Sequence, residues 1–166
     1  MVLSLLMAMT LTGQDERLID FELKDQFDDT YRRADFLGKP LVIIGSARKG
    51  REFNPLWAQA FHDSLQPLGL VDSLHFFSVA DLRGVPFFMR GMIKSFFPDN
   101  RRVRIAMDWK GTLAEGLRFN KETSNILIFD ENGLLQHREV VKEVNSVQLD
   151  SLLTTLKRLL IPPASE

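Results

Sequence analysis

The chain has 166 residues, of which 45% are hydrophobic and 26% charged, proportions that suit one globular domain with a substantial core. Its formal net charge of -1 gives no global attraction to nucleic acid or to an anionic membrane, so any basic site must be local and no nucleic-acid partner is expected. It has no cysteine, which excludes disulfides, thiolate metal sites and every thiol mechanism from this chain.

In chain order, the opening MVLSLLMAMTLT is apolar like the middle of a secretory signal. It lacks a basic start and a small-residue cleavage site and is too short to span a bilayer. Residues 1–16 are therefore read as a signal-like segment or a hydrophobic tail, 17–161 as the domain and 162–166 as a C-terminal tail. Residues 18–24 alternate, with Ile19, Phe21 and Leu23 on one side, and predict a half-buried strand. Turn residues 25–29, a returning strand at Thr30-Tyr31 and a helical turn at 34–37 follow. Leu41, Val42, Ile43 and Ile44 form an apolar run without alternation, expected of a central strand covered on both faces. Residues 46–53 are a polar, basic connector. Asn54 then caps a helix with Pro55 in its first turn and Leu56, Trp57, Ala60, Phe61 and Leu65 at helical spacing.

Residues 74–79 predict the next strand, parallel to the first because a helix intervenes. A second helix is expected over 86–97, with Phe88, Met89, Met92, Ile93 and Phe96 on one face. Residues 102–108 predict a third parallel strand near an edge, and 112–120 a short helix. Residues 126–129 read as a strand, and the Asn132-Gly133 turn predicts antiparallel pairing with 134–140. Asn145 caps a last helix with Gln148 three residues on; Leu149, Leu152, Leu153, Leu156 and Leu160 form its apolar face, closed by Pro162-Pro163.

This order is a leading hairpin, βαβαβ, a second hairpin and a terminal helix. The stretches FELKDQFDDTYRRADFLGKPLVII and ILIFDENGLL resemble the opening and the penultimate hairpin of redoxin and thiol-peroxidase domains. The resemblance implies an α/β thioredoxin-like three-layer fold with an N-terminal hairpin extension, a central mixed sheet and helices on both faces. A closer resemblance is to the YtfJ-type periplasmic proteins. It is carried by Asp25-Gln26-Phe27, Gly38-Lys39, the loop Gly45-Ser46-Ala47-Arg48, Phe88-Met89-Arg90, Asp108-Trp109-Lys110-Gly111 and KETSNILIFDENG. It implies a periplasmic protein, with a cytoplasmic one as the alternative. Matching Pro55 to the proline that follows the dithiol of thioredoxin-like reductases puts the two cysteine positions near Ala47 and Gly50. The proline that usually faces them would fall near Ser124, and none is there.

Other chemistry is equally poorly supplied. Ser46 has no neighbouring histidine base and no glycine elbow. The acidic residues Asp25, Asp28, Asp29, Asp108 and Asp130 fall in turns, where short carboxylates satisfy the backbone. The histidines His62, His75 and His137 are far apart. No catalytic residue, cofactor or metal ligand is assigned.

Two surfaces remain. Ser46, Ala47, Arg48, Lys49, Gly50 and Arg51 precede a helix start, where the helix dipole disfavours cations and a phosphate, sulfate or carboxylate would be welcome. Phe87, Phe88, Met92 and Phe97 exceed what one buried helix face needs and suit a partner surface, the rest of that helix being core. The reading is a redox-inactive thioredoxin-fold binding or interaction protein, taking an unknown protein partner or small anion. The alternative is a cysteine-independent enzyme of the same superfamily.

Overall fold

The computed structural model describes residues 16–161; the opening apolar run and the Pro162-Pro163 stop lie outside them. Its centre is a seven-stranded mixed sheet made of β1 (Glu22–Asp25), β2 (Thr30–Arg32), β3 (Leu41–Ser46), β4 (His75–Asp81), β5 (Ile105–Asp108), β6 (Ser124–Phe129) and β7 (Leu135–Val141), in the order β2-β1-β5-β4-β3-β6-β7. Strands β3, β4 and β5 are parallel; the hairpins β1-β2 and β6-β7 join antiparallel on either side. The helices are α1 (Asn54–Leu65), α2 (Arg90–Lys94), α3 (Thr112–Gly116) and α4 (Ser146–Leu160).

The unalternating run of β3 is explained by two cores. Leu41 and Ile43 join Phe21, Phe36, Phe77, Leu113 and Leu117 on one face of the sheet. Val42 and Ile44 join Trp57, Phe61, Leu65, Leu152 and Leu156, from α1 and α4, on the other. A period of two with both faces covered leaves no polar position along the strand. The Trp57 indole Nε1–H donates to the Lys142 carbonyl at 2.7 Å, so its burial leaves no donor unpaired. The Asn132-Gly133 turn pairs β6 with β7 as expected, and the Asn145 side chain accepts the Gln148 backbone N–H at 3.0 Å.

Several expectations need correction. Residues 18–21 precede the first strand, which begins at Glu22; Ile19 is only partly buried, whereas Leu18 is buried. Strand β3 is interior but one place off the middle, which β4 occupies. Strand β5 begins at Ile105 and is interior, held by β4 and β1; its polar beginning precedes the strand rather than marking an edge. The residue before α1 is Phe53, so Asn54 is inside the helix and Leu56 is exposed. The helix after residue 111 ends at Gly116. The largest departure is at 86–97, where a 3-10 turn over Phe87–Met89 runs into the five-residue α2 and no residue of either is buried.

Candidate functional site

The end of β3 and the start of α1 meet the start of β6, because Ser46 pairs in register with Ser124. Both serines are buried. Asn54 lies between them: its Nδ2–H donates to Ser46 Oγ at 2.9 Å, and the Ser124 hydroxyl donates to its Oδ1 at 2.6 Å. Asn54 therefore ties strand, helix and facing strand together instead of capping the helix, since its side chain is committed to two buried hydroxyls. The partner of the Ser46 hydroxyl is the Asn54 amide, which donates to it and is not a group that takes up a proton.

The turn between them has an exposed and a buried part. Arg48, Lys49 and Arg51 are exposed and Ala47 half-buried, as expected of a loop, whereas Ser46 completes β3 and Gly50 is buried. Gly50 packs so closely on the Thr123 carbonyl and the Ser124 amide that an added Cβ would overlap backbone atoms. Lys49 Nζ lies 2.6 Å from the Glu122 carboxylate, both side chains exposed. Arg48, Lys49, Arg51 and Glu52 line a shallow hollow of about 400 Å³.

A second hollow, of about 540 Å³, lies between β1, α2 and the end of β5; Lys24, Asp28, Arg90, Lys94, Trp109 and Lys110 are among its lining residues. Beside it Asp25 is buried and accepts the N–H groups of Phe27 at 2.8 Å and Asp29 at 3.0 Å, the Tyr31 hydroxyl at 3.1 Å and Arg104 Nη1 at 2.8 Å. Burial alone would raise its pKa, but the backbone donors and the guanidinium outweigh it and hold the carboxyl below its ordinary value. Asp108 is buried and receives the N–H groups of Thr112, Leu113 and Ala114 at 2.8–2.9 Å. Asp130 does the same for Asn132 and Leu134. These carboxylates are turn and helix-start acceptors, as the sequence implies. Among the described residues no group of three or more His, Cys, Asp or Glu side chains is placed to hold a metal ion.

On the apolar segment, Phe87 is 82% exposed, Phe88 83%, Phe96 70% and Met92 51%. Phe97 is half-buried, so the outward position expected for it belongs to Phe96. Phe87, Phe88 and Met92 are thus exposed, as expected for a partner surface, and Phe96, which the sequence reading left to the core, recurs four residues after Met92 and is exposed with them. The sequence reading also missed half-buried Asn54 and buried Ser124 as partners around Ser46. Only the register of β3 against β6 brings them together.

No protein-family model and no curated protein matches the chain. Solved structures do. The exposed lipoprotein thioredoxin of Streptococcus pneumoniae matches at TM-score 0.61 and 21% identity, over 85% of this chain and all of that one. A SCO1/SenC family lipoprotein of Bacillus anthracis matches at 0.59 and 13%, over 87% and 95%. StoA of Bacillus subtilis matches at 0.58 and 14%, over 82% and 96%. The fold is thioredoxin-like. In this thioredoxin-like domain the β3–α1 turn carries Ala47, Arg48, Lys49 and Gly50, and no thiol stands anywhere in the chain.

Proposed function

We propose that this chain is a redox-inactive thioredoxin-fold protein that works by binding a partner and belongs with the YtfJ-type proteins of the periplasm. The observation that carries the reading is the filled end of β3. Asn54 bridges Ser46 and Ser124, and Gly50 lies against the backbone of Thr123, so side-chain and backbone atoms occupy the ground on which a dithiol would open to a substrate. The periplasmic setting rests on the resemblance to the YtfJ-type proteins, and two fold neighbours named as lipoproteins are compatible with a place outside the cytoplasm. Contact surfaces are assigned to the basic turn, with Arg48, Lys49 and Arg51 facing a small anion or an acidic partner, and to the Phe87, Phe88 and Met92 segment. A cysteine-independent enzyme is the weaker reading, since the Ser46 hydroxyl has the Asn54 amide for its partner.

The decisive assays are insulin reduction and peroxide consumption by the purified chain, with no turnover above buffer expected; turnover would overturn the proposal. For the turn, the triple variant Arg48→Ala, Lys49→Ala, Arg51→Ala is expected to lose the rise in melting temperature that phosphate gives the wild type at matched ionic strength, because a ligand of the folded state stabilises by mass action. An equal response in both proteins would remove the turn from the contact surface.

A further inference from the structure

We infer that the segment around α2 docks this domain on an anionic lipid surface, with Phe87, Phe88, Met92 and Phe96 entering the headgroup and acyl boundary. The inference rests on reading this segment as a contact surface and names what it contacts. Phe87 and Phe88 are adjacent and each more than four-fifths exposed, so their rings stand clear of the protein instead of lining a groove. An apolar group of this size on a soluble domain marks an interaction site. Rings that project as a pair suit a soft apolar medium that closes around them.

Charge decides the kind of medium. Residues 86–104 carry Arg90, Lys94, Arg101, Arg102 and Arg104 against the single carboxylate of Asp99, in a chain whose formal net charge is -1. Part of this is met within the protein: Lys94 pairs with Asp28 at 2.7 Å, Arg104 with Asp25 and Asp29, and Arg101 lies 3.9 Å from Asp29. Arg102 has no carboxylate partner among the described residues, and Arg90 stacks on the Phe87 and Trp109 rings without a direct ion pair, across a hollow that it shares with Glu22 and Asp28. Large apolar side chains beside cations and a tryptophan are the composition of a peripheral anchor at an anionic surface. A second copy of this chain packed through the same face would bring Arg90 and Arg102, the cations of the segment without an ion pair among the described residues, against their own counterparts, an unfavourable pairing. No helix among the described residues is long and apolar enough to cross a membrane.

The test is co-sedimentation of the full chain with vesicles of phosphatidylcholine alone and of an equimolar phosphatidylglycerol and phosphatidylcholine mixture. Binding to the anionic vesicles, weakened by salt, is expected. The variant Phe87→Ser, Phe88→Ser is expected to bind about tenfold more weakly, with an unchanged circular dichroism spectrum and melting temperature. Arg101→Glu, Arg102→Glu is expected to lose affinity and to flatten the salt dependence. Failure of the wild type to bind, or equal binding by the phenylalanine variant, which would place the contact elsewhere in the chain, overturns the inference. Sedimentation velocity without lipid covers the remaining case: a dimer that dissolves in the phenylalanine variant would replace the lipid with a second copy, yet leave the segment standing as a contact surface.

Discussion

At the scale of single residues, the β3–α1 turn is governed by two small groups, Gly50 and Asn54. Any Cβ at Gly50 meets the Thr123 carbonyl and the Ser124 amide, which are backbone and cannot swing away. Gly50→Ala is therefore expected to lower stability by about 2–3 kcal/mol, the usual cost of overpacking, read from the urea midpoint; a loss below half a kcal/mol would mean that the turn yields. Asn54→Ala removes the partner of two buried hydroxyls, and an unfolding loss of about 1–3 kcal/mol is expected. Asp25 supplies a pH-dependent test. Its carboxyl is held below the ordinary value in the folded state. The stability it contributes is thus fully present above the unfolded pKa, and is lost as pH falls through the depressed folded value. Asp25→Asn should cost about 2 kcal/mol near neutrality, with the gap to wild type narrowing steadily in acid. A gap constant with pH would show that shape rather than charge matters there.

At the scale of elements, α1 and α4 differ in kind from the segment at 86–97. Both long helices bury a full apolar stripe against the sheet, with Trp57, Phe61 and Leu65 from α1 and Leu152, Leu153 and Leu156 from α4. The short α2 buries no residue and is tied by the Lys94–Asp28 pair and by Arg90 on Trp109. Few buried apolar contacts mean a low local opening energy. Hydrogen exchange is expected to be fastest, among the helices, at α2 and slowest in α1 and α4. Protection of α2 equal to that of α1 would contradict this. The same difference explains why the sequence reading left Met89, Ile93 and Phe96 to the core, where none of them is buried. A stripe at helical spacing shows which side chains share a face, but not whether another element covers that face.

For the whole molecule, the two cores are joined through the strands between them, since alternate residues of β3 and β6 enter opposite faces. Unfolding is expected to be one cooperative transition. Leu117→Ala in one core and Leu152→Ala in the other should each shift it as a unit, by about 2–5 kcal/mol, with circular dichroism and tryptophan fluorescence coinciding. Separate transitions would show the two faces to be independent. The sequence by itself determined the mixed α/β plan, because a strand covered on both faces, the Asn132-Gly133 turn and the Asn145 cap are written in local residue patterns. It also determined the absence of thiol chemistry, which is a matter of composition. Only the tertiary structure decided the rest. It made Asn54 a bridge instead of a cap, put β5 inside the sheet, and left Phe96 uncovered while half-burying Phe97. Each of these depends on what a distant part of the chain brings alongside, and local periodicity carries no information about that neighbour.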